Sequence, residues 1–404
     1  MIKGTRLATI TTASSDEPWR LHSLQFDGVC KHFSNHLTGR PTMSDDLTTT
    51  YLGMELRSPI IIGACPLTIE PETARQMCDA GAGAVVLPSI LQEQVTYSML
   101  KRDAPVAAIH ESGYQPQQDR YNGGVDNYLP TIQRMKETLP VPVIGSLNGA
   151  SDGQWLAFAK EIQNAGADAL EFNWQRGMYD PNESADAVED RLVEISRDLC
   201  ERLSIPIAIK LNQNFTNLAS IARKLEQTGV DGVVLFSHRP HWDVNVDRMH
   251  WTIRWELSPA DYLGTILEGL VHARTGGLDL SIAASGGVRT GEDAIKAMIA
   301  GADVVMVTSE VYREGPDVIH NIQQGIRRYL TAHHHPSLLA FQQLRPAVEL
   351  TPQRLMRLEY VDPLTSPSQS PPLSSSMAST TTYYYYDPTP SIPASYGDAF
   401  GHRK

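Results

Sequence analysis

Four segments of the chain share one pattern, in which a glycine ends a helix-like stretch and a short, continuously apolar run follows. They are AGAGAVVLP from Ala80, AGADALEFN from Ala165, TGVDGVVLF from Thr228 and AGADVVMVT from Ala300. Four further apolar runs alternate with them: SPIIIGA from Ser58, VPVIGSLN from Val141, IPIAIKLN from Ile205 and LSIAASGG from Leu280. Runs that are apolar on both faces are typical of parallel strands covered by helices. The pattern therefore predicts eight strands that alternate with helices.

This alternation predicts an α/β fold, a (β/α)8 TIM barrel whose active site lies at the carboxyl ends of the strands. An open doubly wound sheet is the alternative, because it also alternates strands with helices. The longest insertions follow strands 2 and 6 and should overhang the active-site face. The second insertion, residues 238–270, is dense in Trp, Arg and His. These side chains could stack on a planar ring or pack together as a lid.

The two ends of the chain differ in composition from its middle. Residues 1–43 are polar and show no sustained period, and residues 362–404 are rich in Ser, Pro, Thr and Tyr. Such segments cannot bury enough apolar surface to fold. We expect a poorly ordered extension over 1–43, a barrel over 44–361 and a disordered tail over 362–404. Translation could start at Met1 or at Met43.

Charge and cysteine content exclude several classes of function. The formal net charge is -12 with 20% charged residues, and the chain has no basic patch of the kind that nucleic acid requires. No apolar run approaches the ~20 residues of a membrane span, and the start of the chain lacks a signal-peptide pattern. The four cysteines lack CxxC spacing, so we expect neither a metal site nor a disulfide framework. A reducing cytoplasm fits this composition.

The segment 281–310 predicts a phosphate site. It reads as strand, glycine turn, helix and strand, with Gly286-Gly287 after the first strand and Thr308-Ser309 after the second. Thr290 can cap the helix between them in a capping box with Asp293. Loops of this kind offer backbone N–H groups to an anion, and barrels bind phosphate after strands 7 and 8.

Polar residues stand at the carboxyl ends of the other strands. They are Asn148, Asn173, Lys210, Asn212, Ser237 and His238. Lys210 lies within the apolar run IAIKL, so it needs an anionic or electron-rich partner to offset its desolvation. Two chemistries would use it: contact with the N1/C2 carbonyl edge of a flavin, or a Schiff base with a carbonyl substrate.

The chain from about Asp46 to Val361 resembles the class 1 dihydroorotate dehydrogenase family, and more closely its bacterial dihydroorotate dehydrogenase-like branch. The matching segments include LTTTYLGMELRSPIIIGACPLT, VPVIGSLNG, ADALEFN, IPIAIKLNQN and ASGGVRTGEDAIKAMIAGADVVMVTSE. The resemblance implies FMN as the cofactor. It implies a binding set made of Ala64, Cys65, Ser89, Asn148, Asn173, Lys210, Ser237, Gly286, Gly287, Thr308 and Ser309.

The chain departs from this family where the proton-abstracting base is expected. The family carries a catalytic Cys or Ser in the loop after strand 4, whereas this loop reads WQRGMY from Trp174 and has neither. Within the loop Arg176 suits a substrate carboxylate, and Tyr179 is a candidate base, as is His110 in the first insertion. We therefore expect Lys210, Tyr179 and Arg176 to form the catalytic set.

Three hypotheses follow. The first is an FMN-dependent oxidoreductase acting on a CH–CH bond of a small planar substrate, by family default the oxidation of dihydroorotate to orotate in pyrimidine biosynthesis. The second is a flavin-binding barrel that has lost catalysis. The third is a lyase that uses Lys210 as its nucleophile. The expected partner is a small molecule, and a homodimer remains open, as do the natural substrate and the electron acceptor.

Overall fold

The structure, a computed structural model, describes residues 46–103, 119–151, 153–174, 180–275 and 277–345. Met43, the predicted extension and the predicted tail lie outside these residues, so the domain boundaries stay predictions. Thirteen strands occur in the described part: β1 Thr49–Tyr51, β2 Met54–Leu56, β3 Ile60–Ile62, β4 Ala84–Val86, β5 Ile90–Leu91, β6 Val143–Gly149, β7 Ala169–Trp174, β8 Ile207–Leu211, β9 Gly232–Leu235, β10 His241–Asn245, β11 His250–Arg254, β12 Ser281–Ser285 and β13 Val304–Val307.

Helices follow the strands in alternation. In chain order they are α1 Pro71–Asp79, α2 Gln92–Asp103, α3 Asp119–Asn122, α4 Val125–Thr138, α5 Ala157–Asn164, α6 Ala185–Arg202, α7 Leu218–Glu226, α8 Tyr262–Arg274, α9 Gly291–Ala300, α10 Ser309–Glu314, α11 Asp317–Ala332 and α12 Leu338–Gln343. The capping box of Thr290 and Asp293 at the start of α9 is confirmed, and Gly301 ends that helix with φ 127°. No helix among the described residues is long and apolar enough to cross a membrane.

The eight predicted strands close into a barrel. They are β3, β4, β6, β7, β8, β9, β12 and β13, every neighbouring pair is parallel, and β4 pairs with both β3 and β6. An open sheet would leave two strands with a single neighbour each. The (β/α)8 barrel is therefore confirmed, and the alternative of an open doubly wound sheet is wrong.

Proline directly precedes three of the barrel strands without breaking the ladder. Pro59, Pro142 and Pro206 each lie one residue before a strand, where the missing N–H is not needed. Their carbonyl oxygens accept hydrogen bonds from the neighbouring strands at 2.9, 3.1 and 2.9 Å. These prolines thus fix where each strand starts while still contributing an acceptor to the sheet.

The barrel has an inner and an outer apolar core, because alternate residues of each strand face opposite sides. The inner cluster includes four alanines, Ala84, Ala169, Ala208 and Ala283, which leave room for larger side chains from outside the barrel. The hairpin of β1 and β2 supplies these, since Tyr51 and Leu52 belong to the same cluster. The backbone N–H of Leu52 donates to Ser281 Oγ at 3.0 Å, so the hairpin covers the amino-terminal end of β12.

Both predicted insertions are present. After β4 the chain forms β5, which pairs with β6, and then α2, and residues 104–118 lie outside the described part. The helix α4 then leads into β6. After β9 the chain forms an antiparallel hairpin of β10 and β11 before α8. The two insertions follow barrel strands 2 and 6, as the sequence predicts.

Candidate functional site

A cavity of about 650 Å³ opens at the carboxyl ends of the barrel strands. This volume lies within the range of cofactor and ligand sites. Its lining combines the ends of β6, β7, β8, β12 and β13 with the segment that joins the β10–β11 hairpin to α8. The cavity therefore lies on the face where barrel enzymes carry their active sites.

Most of the predicted site residues line this cavity. They are Ala64, Cys65, Ser89, Asn148, Asn173, Lys210, Gly286, Gly287, Thr308 and Ser309. Ser237 is buried and lies behind the wall, where its Oγ contacts Asn173 Oδ1 at 2.5 Å. The candidates Arg176, Tyr179 and His110 lie outside the described residues, so their roles stay predictions.

Three polar side chains form one row across adjacent strands. Asn148 pairs with Asn173, and Asn173 pairs with Lys210 in the strand register. Residues two apart on a strand face the same side, so each of these three continues an inward-facing column. On β7 the column runs Ala169, Glu171, Asn173, which takes the barrel interior from apolar to polar as it approaches the cavity.

Lys210 has an anionic partner inside the barrel. Its Nζ lies 3.2 Å from Glu171 Oε1, and the two side chains are only 9% and 1% exposed. Among the described residues, Glu171 Oε2 is buried without a hydrogen-bond partner. Glu171 is therefore the anionic partner that the sequence predicts for Lys210, and it offsets part of the cost of burying the ammonium.

Two hydroxyl contacts hold the polar row in place. The Ser237 hydroxyl donates to the Oδ1 atom of Asn173, which fixes how that amide is turned. The Ser89 and Ser146 hydroxyls lie 2.7 Å apart and are both buried. Ser237 therefore acts on the cavity through Asn173, whereas Ser89 lines the cavity directly.

The Gly286-Gly287 turn has backbone angles that favour glycine, with φ 112° and 73°. A Cβ on Gly287 would lie 2.4 Å from the backbone N of Leu263, and one on Gly286 would lie 2.7 Å from the Tyr262 ring. The sequence predicts that this glycine turn offers backbone N–H groups to an anion. The structure adds a second reason, because the start of α8 packs directly against the turn.

The second predicted phosphate loop is tied to the segment that precedes α8. Thr308 precedes α10, and its Oγ1 would lie 2.7 Å from a Cβ added to Gly63. Ser309 Oγ accepts a hydrogen bond from the backbone N–H of Ser258 at 3.0 Å, and Arg313 Nη2 donates to the Ser258 carbonyl at 2.8 Å. These bonds fix the wall of the cavity between the two loops.

A buried carboxylate stands beside the two loops. Glu310 is 4% exposed and lines the cavity. Arg289 Nε lies 3.0 Å from Glu310 Oε1, and Arg313 binds the same oxygen. Two guanidinium groups therefore face one carboxylate, which leaves this side of the cavity with an excess of positive charge toward an anion.

His238 lines the cavity beside Trp255. The two ring centroids are 5.4 Å apart, and both residues lie on the cavity wall. Burial lowers the pKa of the His238 imidazole, and the nearby charges of His241 and Lys210 lower it further, while a hydrogen bond to the backbone of Glu256 opposes them. An imidazole of this kind is neutral near pH 7 and can accept a proton.

Three other groups on the wall, Cys65, Tyr121 and Tyr312, stay protonated near pH 7. Burial raises the pKa of the Cys65 thiol, and it raises the pKa of the Tyr121 phenol well above its ordinary value. Burial also raises the pKa of Tyr312 to about 12, and Cys65 beside it acts in the same direction. These groups are suited to donate hydrogen bonds rather than to remove protons.

Sequence reasoning missed several residues of this site: Glu171, Arg289, Glu310, Tyr121 and Tyr312. Glu171 could have been found, because it lies two residues before Asn173 and therefore faces the same side of β7. The segment 238–270 reaches the cavity only in part, and stacking of its aromatic side chains on a planar ring stays a prediction. Trp255 and His238 reach the cavity, whereas Trp242 and Trp251 are 56% and 69% exposed on the hairpin.

Comparison with known proteins agrees with this geometry. A family model described as dihydroorotate dehydrogenase matches residues 265–330, which contain β12, α9 and β13. The chain is 25% identical over 294 residues to the catalytic subunit of dihydroorotate dehydrogenase B (NAD(+)) of Methanocaldococcus jannaschii, covering 70% of this chain and 93% of that protein. The resemblance to the dihydroorotate dehydrogenase family is confirmed.

Two further relatives show the same relationship. The corresponding catalytic subunit of Thermoplasma acidophilum is 27% identical over 301 residues, covering 70% of this chain and 94% of the relative. The NAD-dependent dihydropyrimidine dehydrogenase subunit PreA of Escherichia coli is 23% identical over 337 residues, covering 76% of this chain and 80% of the relative. The names of these relatives describe two kinds of dehydrogenase, one named for dihydroorotate and one for dihydropyrimidine.

Proposed function

We propose that this chain is an FMN-dependent oxidoreductase that acts on a CH–CH bond of a small planar substrate, with dihydroorotate as the default. The observation that carries the proposal is the row of Asn148, Asn173 and buried Lys210 on the wall of one cavity, together with the two loops after β12 and β13. Amide and ammonium groups suit the polar edge of a flavin ring, and glycine-rich backbone suits a phosphate.

The residues present fit FMN at both ends of the cofactor. At the phosphate end Gly286, Gly287, Thr308 and Ser309 offer backbone N–H groups, and Arg289 adds a positive charge. At the ring end Asn148, Asn173 and Lys210 offer side-chain donors. Bound FMN would supply the hydride acceptor that carbon–carbon bond oxidation requires. The chain's own task is to bind this group, exclude water and move the substrate's proton.

The ion pair of Lys210 with Glu171 bears on the lyase alternative. A Schiff base requires an amine that is free to attack a substrate carbonyl, whereas Lys210 Nζ is bound 3.2 Å from the buried Glu171 carboxylate. The pair instead holds the Lys210 side chain in place as a hydrogen-bond donor at the cavity wall, which suits a group that becomes anionic on reduction. This observation supports flavin chemistry over nucleophilic catalysis.

For the proton transfer we infer that His238 is the best candidate among the described residues of the cavity. It lines the wall, its ring is held by the Glu256 backbone and by Trp255, and its lowered pKa keeps it neutral. Tyr179 stays a second candidate. Because a family Cys or Ser is missing from the loop after β7, we expect dihydroorotate to reduce bound FMN roughly 100- to 10,000-fold more slowly than in relatives that keep it.

Anaerobic stopped-flow mixing of the FMN-loaded protein with dihydroorotate tests this proposal. Bleaching of the flavin band measures reduction, and dithionite serves as the control for a reducible flavin. We expect slow bleaching that His238→Gln slows further and Tyr179→Phe leaves unchanged. Fast bleaching in His238→Gln would remove His238 from the mechanism. Reduction by dithionite alone would favour the hypothesis of a flavin-binding barrel that has lost this reaction.

A further inference from the structure

Glu171 is a buried carboxylate that lies one layer deeper in the barrel than the polar row on the cavity wall. It precedes Asn173 by two residues on β7, so the two side chains face the same side of the strand. In the strand register Glu171 lies between Ser146 of β6 and Ala208 of β8. Lys210 lines the cavity, and Glu171 lies behind it with 1% of its surface exposed. Glu171 therefore acts on a bound group through the residues of the wall.

The Glu171 carboxylate has one hydrogen-bond donor among the described residues, which is Lys210. The Lys210 Nζ lies 3.2 Å from Oε1, and Oε2 has no donor within the same part of the chain. Ala208 offers no polar side-chain atom, and the Ser146 hydroxyl lies 2.7 Å from the Ser89 hydroxyl. The negative charge of Glu171 is therefore shared with Lys210 and with little else.

The charge of Glu171 acts beyond its own contacts, because the interior that surrounds it excludes water. Burial raises the pKa of the Tyr121 phenol, and Cys65 and then Glu171 raise it further. Tyr121 lines the cavity, so the field of Glu171 reaches the wall. Burial likewise raises the pKa of Tyr51, and Glu171 adds to this effect from the same inner core. A charge in such a medium acts more strongly than it would in water.

We propose that Glu171 is a positioning residue that sets the reduction potential of the cofactor in this cavity, because it holds Lys210 in place and opposes its positive charge. The inference rests on the proposed function, since it takes Lys210 as a donor to the polar edge of FMN. Lys210 favours a group that gains negative charge on reduction, whereas the carboxylate behind it disfavours that group. Glu171 thus limits how far Lys210 raises the potential.

The chain offers a second Lys–Glu pair that serves as a matched control. Lys224 Nζ lies 2.8 Å from Glu189 Oε2, and the side chains are 36% and 15% exposed. This pair joins α7 to α6 on the outside of the barrel, away from the cavity. Removing the carboxylate charge there changes the net charge of the protein by the same amount without changing the field behind Lys210.

A redox titration of the FMN-loaded protein tests the proposal. Dithionite is added stepwise together with a reporter dye of known potential, and absorption spectra give the ratio of oxidised to reduced FMN. Glu171→Gln keeps an oxygen that accepts from Lys210 but removes the charge. We expect its potential to rise by at least about 30 mV, which for a two-electron couple equals a tenfold gain in the preference for reduced over oxidised FMN. Glu189→Gln should leave the potential unchanged.

Glu171→Asp separates the effect of charge from the effect of packing. Because it keeps the negative charge, its potential should stay within about 15 mV of the wild type, or roughly threefold in preference. Equal rises in Glu171→Asp and Glu171→Gln would mean that packing, and not charge, is responsible. Equal rises in Glu189→Gln and Glu171→Gln would mean that net charge alone governs the potential. Either result would overturn the proposal.

The titration also separates this inference from the proposed function. A protein that binds no FMN would overturn both. FMN that binds and is reduced at an unchanged or lower potential in Glu171→Gln would overturn the role of Glu171 alone. Circular dichroism checks folding. If Glu171→Gln does not fold, the double variant Lys210→Met with Glu171→Gln is compared with Lys210→Met, and the same upward shift is expected between those two.

Discussion

Removing the Lys210 side chain should destabilise the barrel, because it leaves the Glu171 carboxylate buried without its ion-pair partner. Glu171 is 1% exposed, its Oε1 has Lys210 as an ion-pair partner and its Oε2 has no hydrogen bond among the described residues. Breaking a buried pair by removing one partner costs about 3–5 kcal/mol. In a barrel of roughly 300 residues the unfolding entropy is about 0.6 kcal/mol/K, so Lys210→Met should lower the melting temperature by about 5–8 °C.

Thermal and urea unfolding of the FMN-free protein measure this effect without any contribution from cofactor binding. Lys136→Met is the matched control, because Lys136 pairs with Asp168 at 2.7 Å but the two side chains are 35% and 29% exposed. We expect that control to lose less than about 1 kcal/mol. The double variant Lys210→Met with Glu171→Gln should recover much of the stability lost in Lys210→Met, since it also removes the unpaired Glu171 charge.

The reasoning would be refuted if Lys210→Met lost no more stability than Lys136→Met. It would also be refuted if the double variant were as unstable as the sum of the two single variants, because the coupling between the partners would then be absent. Either result would mean that water or another group solvates Glu171 in the barrel.

Two further predictions concern the turn after β12 and the cavity histidine. Gly287→Ala should cost at least about 1 kcal/mol more in urea unfolding than Gly229→Ala. Both glycines have positive φ, but a Cβ meets Leu263 only at Gly287 and open space at Gly229, so equal losses would contradict the packing argument. His238 has a lowered pKa in the folded chain, so the unfolded chain binds its proton more readily and stability falls as pH drops below about 6.5. The melting temperature should therefore fall more between pH 7.5 and 5.5 in the wild type than in His238→Gln, and parallel curves would show that His238 is not buried in this way.

The barrel could be predicted from sequence because its signals are local. Glycine after four of the helices, proline before three strands and apolar runs of similar length each report on a few neighbouring residues. The polar row was predictable for the same reason, since Asn148, Asn173 and Lys210 all end strands that the pattern identifies. Because the barrel is closed, the carboxyl ends of its strands meet at one face, and the three residues lie together there.

Other features depend on contacts between residues far apart in the chain. The packing of Gly287 against Leu263 depends on how α8 meets the turn, and no local pattern reports that contact. Glu310 looks like an ordinary first-turn acidic residue until Arg289 and Arg313 are seen to converge on it. Composition likewise does not predict that Trp242 and Trp251 are exposed, because tryptophan is usually buried.

The central claim is that the cavity at the carboxyl ends of the strands holds FMN, and equilibrium titration of the FMN-free protein tests it most directly. Flavin fluorescence or calorimetry would follow the binding of FMN and of riboflavin, which lacks the phosphate. We predict one FMN per chain, weaker binding of riboflavin, and loss of that preference in an Arg289→Ala variant that remains folded. A protein that purifies colourless and binds neither compound would contradict the account, and equal affinity for the two would contradict the assignment of the phosphate loops.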